Sequence, residues 1–563
     1  MLLARQGLAL RGHESHEGNL RELLELRADD SDIIREWLKR SRNYLHSDIQ
    51  NELLGLMSHH VLRDIIKEMT AGGPTPFALI VDGSQDVSGV EQQAICARYV
   101  TPNLDVLEEF IGFYEPPSTT GEALAKMMKD AMLRLGLSID HLRGLAFDGA
   151  ANMKGQFRGA QALLRAEQPL ALYVHCGAHC LNLVVKDSAE ASAVIRNALH
   201  AVNELGVLFT ESIKLRSKFE DICSQSGGVS PTKLRPLCPT RWTVRLQAVS
   251  AVLDQYPEVL SALQETSESQ GHVAARAHGL LQIFSKSSTY VALGLSRSVL
   301  EPLQKATVKA QRTTCTVTEL VEMVDATISV FQTLRDNADE RIETLLKKAS
   351  SVSLEAPETP RMKKPPKRFT GPASAYQAQS PEEWLRTEYL AFLDTTSAGL
   401  RERFKGDGIA KYKVLESLVL QETPQSRCVE DARRCMDQWP PELDEGLASE
   451  LQVFLRDRRF QSLPEVVSAF RELNGGARSL LPNVERLLRL LLVLPASSAT
   501  AERSFSSLRR LKTWMRSSMT QRRLNDVAVL HVHKDRAANV NPRAVAAEFV
   551  ALNPTRASTF GKM

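Results

Sequence analysis

Three acidic residues, far apart in the 563-residue chain, have the types and settings that could hold metal ions. Asp82 follows the apolar run FALIV and Asp148 follows LRGLAF, so that each is expected at the end of a strand. Glu502 lies among small residues in SSATAERSFS, at the expected start of a helix. Close carboxylates repel, and a divalent cation such as Mg²⁺ relieves that repulsion while it binds phosphate oxygens. Three such groups could hold two metal ions that activate an attacking oxygen and stabilise a leaving one.

Each acid also has an ordinary structural interpretation. An Asp after a strand is a common turn or helix-capping residue, and Asp86 in the same loop is an alternative first ligand. The stretch FDGAANM around Asp148 fits an Asx turn equally well. The three acids are therefore a weak signal by composition alone, and the elements that position them must decide.

The pattern of the first half of the chain predicts those elements. Residues 1–70 repeat apolar residues at helical spacing, and GGPTP then breaks the helix. FALIVDGSQD, QQAICARYVT and LEEFIGFYEP follow as three segments of strand length and composition. A helix capped by Thr119 or Thr120 comes next, followed by strand, helix and strand. This order matches a mixed sheet with helical cover, as in the ribonuclease H-like fold, where the strands of Asp82 and Asp148 are neighbours.

The rest of the chain is expected to be almost wholly helical. The span 353–383 is rich in proline and charge and poor in aliphatic residues, which predicts a disordered loop. From residue 480 onward we expect an apolar segment, the SATAER turn and further helices, with a loose tail at the end.

Charge and cysteine content narrow the class of protein. The net charge of +3 gives little information about binding partners, so the local distribution of charge must be used to predict them. The run LRRLKTWMRSSMTQRR could be a solvated helix face or a set of phosphate contacts, and RMKKPPKR could be a linker or a nuclear localisation signal. Eight sparse cysteines indicate reduced thiols in an intracellular protein, and no apolar segment is long enough to span a membrane.

Five motifs, taken in order, resemble one family. VDGSQDVS, LAFDGAANM, CGAHCLNL, TRW and the C-terminal block SSATAERSFSSLRRLKTWMRSSMTQRRLNDVAVL are similar to the hAT (hobo-Activator-Tam) transposase superfamily. The resemblance is strongest to its zinc-finger MYM-type and THAP-associated members. It covers roughly residues 1–540 and is densest in the C-terminal block.

The resemblance implies a domain organisation. It implies a helical N-terminal region over 1–72 and the first part of a ribonuclease H-like catalytic core over 73–243. It further implies a helical insertion domain over 244–480, completion of the core with a hAT-type dimerisation region over 481–540, and a flexible tail over 541–563.

The resemblance also implies roles for particular residues. Asp82, Asp148 and Glu502 would be the catalytic, metal-binding acids, with Cys176 and Asn152 as supporting motif residues. His179 and Arg241 would contact DNA, and Trp242 would stack on a flipped base. Further residues are expected to contact DNA phosphates or a second protomer: Arg509, Arg510 and Lys512 for DNA, and Leu524, Val527 and Leu530 for dimerisation.

Zinc is an alternative for one of these motifs. His175, Cys176, His179 and Cys180 cluster on one turn and could bind zinc. No second ligand pair stands at finger spacing, so a packed turn or the DNA contact is favoured.

The resulting expectation is a nuclear DNA transposase that uses two Mg²⁺ or Mn²⁺ ions, acts on transposon ends and target DNA, and forms a homodimer or higher oligomer. The alternative is a domesticated, catalytically inactive nuclear scaffold or transcriptional regulator that acts through dimerisation. An unrelated ribonuclease H-like nuclease would not explain the AERSFS block. Family members usually carry an N-terminal zinc finger of TTF, BED or THAP type. Here we expect either a truncated sequence or a lost reader of DNA sequence, which makes autonomous transposition doubtful.

Overall fold

A computed structural model describes most of the chain, namely residues 1–12, 18–40, 43–71, 73, 75–147, 151–155, 157–225, 232–237, 243–359, 378–420 and 425–561. The chain forms two compact units. The first contains Met1–Gly177, Gln311–Thr318 and Gly406–Met563. The second contains Ala178–Ala310 and Glu319–Lys405.

The first unit contains a mixed five-stranded sheet. Its strands are β1 (Phe77–Gln85), β2 (Glu91–Val100), β3 (Val106–Tyr114), β4 (Leu142–Phe147) and β5 (Leu172–His175). Their order is β3-β2-β1-β4-β5, with β1, β2 and β3 antiparallel and β4 parallel to both β1 and β5. The predicted order of strands and the predicted adjacency of β1 and β4 are confirmed.

Helices make up most of both units and are numbered in chain order. In the first unit, before and around the sheet, they are α1 (Leu2–Gln6), α2 (Asn19–Asp29), α3 (Asp32–Leu38), α4 (Ser47–Met69), α5 (Gly121–Arg134), α6 (Ala151–Lys154) and α7 (Ala160–Glu167). Thr120 caps α5, as one of the two predicted caps, because its hydroxyl accepts the Ala123 N–H at 3.3 Å.

The regular elements of the second unit are helices over its described residues, apart from an isolated bridge between Lys286 and Glu355. Its helices, two of which begin just before its bounds, are α8 (Gly177–Glu190), α9 (Ala193–Glu211), α10 (Ile213–Gln225), α11 (Thr243–Asp254), α12 (Tyr256–Ser267), α13 (His272–Phe284), α14 (Ser287–Ala310), α15 (Val317–Asp336), α16 (Ala338–Ser351) and α17 (Pro381–Arg403). That this unit is an insertion into the core stays a prediction.

The chain then returns to the first unit. The remaining helices are α18 (Asp407–Leu420), α19 (Gln425–Cys435), α20 (Leu447–Leu455), α21 (Leu463–Arg471), α22 (Gly475–Ser479), α23 (Pro482–Val493), α24 (Ala499–Leu511), α25 (Gln521–Val532), α26 (Lys534–Asn539), α27 (Pro542–Ala551) and α28 (Pro554–Phe560). Short 3₁₀ turns occur at Ile139–His141 and Trp514–Arg516.

Both faces of the sheet are covered, which explains why β1 is a continuous apolar run instead of an alternating one. Leu79 and Val81 point into a core shared with Met128 of α5. Ile80, on the opposite face, packs in a core shared with Phe505 of α24. Within the described residues, no helix combines the length and apolar character needed to cross a bilayer.

Two predicted flexible segments are partly wrong. The predicted tail over 541–563 contains α27 and α28, because Phe549 packs against Leu56 of α4 and Arg556 donates to both carboxylate oxygens of Glu52 at 2.6 and 2.7 Å. The predicted loop over 353–383 ends early, because Ser380 caps α17 and helix begins at Pro381. Residues 360–377 of that loop lie outside the described residues.

Candidate active site at the edge of the sheet

Asp82 lies inside β1, not at its end. The antiparallel pairing with β2 continues past Asp82, which is opposite Ala94, to Gln85. The parallel pairing with β4 stops one residue earlier, at Val81 opposite Phe147. Asp82 is therefore the first residue of β1 beyond its parallel neighbour. By the alternation of a strand, it belongs to the same face as Ile80, which is the face that α24 covers.

Asp148 immediately follows Phe147, the last residue of β4, but lies outside the described residues. Arg241 and Trp242 also lie outside them. His179 is in α8, in the second unit. The roles predicted for these four residues stay predictions.

Cys176 joins the end of β4 to the start of α24. Its backbone N–H donates to the Phe147 carbonyl at 3.0 Å, and its thiol accepts the Ser498 N–H at 3.2 Å. The next residue, Gly177, donates its N–H to the Ala496 carbonyl at 3.0 Å. These bonds hold the connection before α24 at the carboxyl ends of β4 and β5. Cys176, predicted as a supporting motif residue, thus has a structural role at this junction.

Glu502 lies in the first turn of α24, whose opposite side packs on the sheet. Ala501, Phe505 and Leu508 are buried in the same core as Ile80. The small residues that precede Glu502 permit this close contact, as the sequence predicted. A carboxylate in a first helical turn is also favoured by the helix dipole. Glu502 and Asp82 are therefore carried by directly packed elements of one unit.

A buried ion pair, which the sequence analysis missed, fixes the first turn of α24. The Arg98 guanidinium lies 2.5 Å from one oxygen of Glu108 and also donates to the Leu492 carbonyl at 2.9 Å. The hydroxyl of Thr500, two residues before Glu502, bonds to the other Glu108 oxygen. The signal for this pair was an arginine inside the otherwise apolar segment ICARYV, since a charge in a buried strand requires a partner.

Several charged groups act on Cys96, a buried residue of β2 that shares a core with α24. Burial raises the pKa of the Cys96 thiol well above its usual range, and the carboxylates of Glu108, Glu109 and Asp82 raise it further, whereas Arg503 lowers it. Cys96 therefore experiences the charges of both Asp82 and the residue that follows Glu502. Of the acids that act on Cys96, Glu108 is paired with Arg98 and Glu109 with Arg536.

Asp86, the alternative first ligand, is already occupied by protein donors. Its carboxylate accepts from the Lys512 ammonium at 2.6 Å, the Ser88 N–H at 2.7 Å, and the Val90 N–H and Gln92 side chain at 3.2 Å each. Burial alone would raise the pKa of Asp86, but the bonds from Lys512 and the two backbone groups outweigh it and lower that pKa. These contacts give Asp86 a structural role between the end of β1 and the end of α24.

The ion pair between Lys512 and Asp86 changes the interpretation of the basic tract LRRLKTWMRSSMTQRR. Arg509 and Arg510 are exposed at the end of α24, as a phosphate contact requires. Lys512 is buried, and a phosphate could reach its ammonium only if the bond to Asp86 opened. We therefore correct the role of Lys512 to a structural one.

The residues expected at a dimer interface are also placed differently. Leu524, Val527 and Leu530 of α25 are each 0% exposed and belong to the core that α25 shares with α4 and the sheet. They leave no apolar surface for a second protomer, so this prediction is wrong for these three side chains.

Asn152, predicted as a supporting motif residue, lies in α6. Its side-chain amide donates to the Thr119 carbonyl at 2.6 Å and so ties α6 to the turn before α5.

The described residues do not form a complete metal site by themselves. Among them, no group of three or more His, Cys, Asp or Glu side chains is arranged to hold a metal ion. Asp82 follows Val81, which pairs with Phe147, the last described residue before Asp148 in the sequence. Three carboxylates would form an oxygen donor set that fits Mg²⁺ or Mn²⁺.

The mixed five-stranded sheet, with Asp82 at the end of the β1–β4 pairing, fits a ribonuclease-like domain in the N-terminal part of the chain. Comparison with known families supports this class. Residues 1–159 match the family model described as "ZMYM1/FAM200, RNase-like domain", and residues 467–535 match the "hAT family C-terminal dimerisation region". Both matches support a relationship of the chain to the hAT family.

Two curated proteins are similar over most of the chain. The human "52 kDa repressor of the inhibitor of the protein kinase" is 22% identical over 564 residues, which cover 95% of this chain and 73% of that protein. The mouse protein of the same name is 21% identical over 565 residues, with the same coverage of both chains. Their names describe regulators, whereas the matched C-terminal region supports homo-oligomer formation.

Proposed function

We propose that the protein catalyses metal-dependent cleavage and transfer of DNA strands, as a hAT-type transposase does. The single observation that carries the proposal is the arrangement at the sheet edge. Asp82 lies one residue beyond the β1–β4 pairing, and Cys176 bonds both to the residue before Asp148 and to the residue that caps the helix of Glu502. Segments that are hundreds of residues apart in sequence meet at this edge.

In this proposal Asp82, Asp148 and Glu502 hold two Mg²⁺ or Mn²⁺ ions. When bound, such ions supply a Lewis acid for the phosphate and a deprotonated attacking oxygen. The protein positions the acids: the β1–β2 pairing fixes Asp82, and the Arg98–Glu108 pair with Thr500 fixes the turn of Glu502. The exposed Arg509 and Arg510 would contact DNA phosphates.

DNA and a second protomer are the proposed partners, and the nucleus is the proposed location. The hAT-related match supports DNA as the substrate, and the matched dimerisation region supports assembly. Because Leu524, Val527 and Leu530 are buried, assembly must use other side chains of that region.

The test compares the full chain with Glu502→Gln, which removes one negative charge without changing the size of the side chain. Each protein is incubated with Mn²⁺ and supercoiled DNA of mixed sequence, and nicking and strand transfer of pre-cut ends are scored. We expect activity in the parent and a loss of about 10²-fold or more in the variant. Arg543→Gln, an exposed substitution in α27, which packs on α4 and α28, is the control and should retain activity.

A second candidate function is a catalytically inactive regulator that acts by assembly and DNA binding. The names of the human and mouse relatives favour it. If parent and Glu502→Gln are equally inert, yet both bind DNA and form dimers, the regulator replaces the transposase as the proposed function.

A further inference from the structure

Three arginines of the first unit converge on one cavity of about 250 Å³. Arg11 comes from the segment after α1, Arg516 from the 3₁₀ turn after α24, and Arg523 from the first turn of α25. Asn51 of α4 and Met515 also line this cavity. We call this cavity the arginine pocket.

Hydrogen bonds fix the three guanidinium groups close together. Arg11 donates to the Asn51 side-chain oxygen at 2.8 Å, and Arg523 donates to the same oxygen at 2.7 Å. Arg11 also donates to the Ser47 carbonyl at 2.7 Å, and Arg516 donates to the Gly7 carbonyl at 2.7 Å. These acceptors are all neutral, so they orient the cations without balancing their charge.

The arginine pocket differs in this respect from other arginine sites of the same unit. Arg143 lies 2.5 Å from Glu442, and Arg536 lies 2.6 Å from Glu109. Over the described residues, the hydrogen-bond acceptors of Arg11, Arg516 and Arg523 include no carboxylate, and Asp48 acts on Arg11 only through its charge. Three like charges held together, with no ion-paired acid among the described residues, would be stabilised by a bound anion.

Electrostatics on Arg523 agree with this geometry. Burial, followed by the charges of Arg11 and Arg516, lowers the pKa of Arg523 to about 10. The fold therefore maintains the cluster at a cost that an anion would remove.

We infer that the arginine pocket binds a phosphate group of a nucleic acid. Guanidinium groups bind phosphate oxygens in pairs of parallel hydrogen bonds, so several arginines around one cavity match this ligand. Trp514 and Met515, which directly precede Arg516, are 82% and 83% exposed. An exposed indole beside a phosphate site offers a stacking surface for a base, a combination typical of nucleic-acid binding. The inference rests on the proposed function only in taking DNA as the partner.

The pocket joins the two regions that resemble known families. Arg11 lies within residues 1–159, whereas Arg516 and Arg523 lie within 467–535. Neither region contains the three cations alone. A phosphate in this pocket would therefore bridge the two ends of the chain inside the first unit.

The experiment uses the full chain in buffer with EDTA, so that no step depends on the metal site. Thermal unfolding is measured against inorganic phosphate, with chloride at equal ionic strength as reference. Binding of a labelled mixed-sequence duplex, and of its single strand, is measured by fluorescence anisotropy at several salt concentrations. The variants are Arg523→Gln, Trp514→Ala and the charge-matched control Arg543→Gln, with Arg11→Gln as a replacement if Arg523→Gln does not fold.

We expect phosphate to raise the unfolding temperature of the parent and the control but not of Arg523→Gln. DNA affinity should fall about 10-fold in Arg523→Gln, with a salt slope smaller by about 1, and stay within about 2-fold in the control. Trp514→Ala should weaken the single strand more than the duplex.

Equal DNA affinity in Arg523→Gln and Arg543→Gln would overturn the nucleic-acid assignment; stabilisation by phosphate would then point to a free phosphate or small phosphorylated ligand. Absence of both effects would overturn the site itself. Loss of DNA cleavage has no bearing here, because binding is measured without metal. If phosphate stabilises the protein and Arg523→Gln weakens DNA binding, but the protein does not cleave DNA, the arginine pocket is supported and the proposed catalysis is refuted.

Discussion

Replacing Lys512 with methionine should destabilise the first unit through one buried ion pair. The Lys512 ammonium lies 2.6 Å from the Asp86 carboxylate, and the two side chains are 6% and 0% exposed. Methionine keeps most of the unbranched stem, so that the change removes a charge and leaves little empty volume. Because Lys512 directly follows α24 and Asp86 follows β1, the pair holds the helix of Glu502 to the strand of Asp82.

The expected loss of unfolding free energy depends on the hydrogen bonds that Asp86 keeps in Lys512→Met. Removing one partner of a buried ion pair costs about 3–5 kcal/mol, because the other charge is left without compensation. Asp86 retains the N–H donors of Ser88 and Val90. These bonds place the loss of unfolding free energy at the lower end, at about 3 kcal/mol at neutral pH.

The effect should depend on pH in a defined direction. In the parent, Lys512 and backbone donors outweigh burial and lower the pKa of Asp86, so its contribution is present above the unfolded pKa of about 3.9 and is lost as pH falls through the folded pKa. In Lys512→Met the cation is gone while burial remains, which raises the pKa of Asp86 relative to the parent. A protonated Asp86 needs no cation, and the difference between the two proteins should therefore shrink from pH 7.5 towards pH 4.5.

Hydrogen exchange of peptides covering Ser88 and Val90, together with urea unfolding, measures this loss within one unit of a two-unit chain. Lys129→Met is the matched control, since Lys129 lies at the same 2.6 Å from Glu167 but both side chains are substantially exposed. It should cost no more than about 1 kcal/mol. An equal loss in both variants, or a loss that does not change with pH, would refute the reasoning. Weaker DNA binding by folded Lys512→Met would revive its predicted role as a phosphate contact.

Two further predictions concern α25. Burial raises the pKa of Asp526 to about 6, so its favourable contribution is complete below the unfolded pKa of about 3.9 and is lost as pH rises through 6. Asp526→Asn should therefore increase the unfolding free energy by about 2–3 kcal/mol at pH 8 and change it little at pH 4, and equal effects at both pH values in urea titrations would contradict this. Leu524→Ala should lower the unfolding free energy by about 2–5 kcal/mol and leave the mass of the folded protein in light scattering unchanged. Dissociation of an otherwise stable protein would instead restore Leu524 to the partner interface.

The sheet could be predicted from the sequence because its signals are local. FALIV, ICARYV and LAF are apolar runs of strand length, and turn or helix patterns separate them. The strand adjacency came from the order of elements, which restricts the possible topologies. Register could not be read in this way: β1 continues to Gln85 through its pairing with β2, which no local pattern encodes.

The wrong predictions share a physical cause: each residue contacts a partner that is distant in sequence, and local sequence does not identify that partner. The apolar spacing of Leu524 and Val527 predicts a buried helix face, but periodicity does not specify whether the same protomer or another one covers it. Lys512 stands in a basic run, yet an acid 426 residues away in sequence binds it. The C-terminal helices are held partly by Glu52, which is 504 residues from Arg556. From local composition alone, these residues are predicted to lie on the surface or in a flexible tail, because composition does not reveal such long-range contacts.

The isolation of Glu502 is a consequence of close packing between two distant segments. Small residues occur on both sides of the contact: Ala499 and Ala501 in the helix, and Gly144 in β4. A Cβ atom at Gly144 would lie 2.8 Å from the Cβ of Ala78 and 3.0 Å from side-chain atoms of Leu494 and Pro495, in the connection that leads to α24. Since such distances are too short for carbon atoms, β4 must have glycine there for this connection to lie against the sheet. The glycine of LRGLAF and the small residues of SSATAERS thus serve one purpose, which is to bring the helix of Glu502 to the edge where β1 and β4 end their pairing.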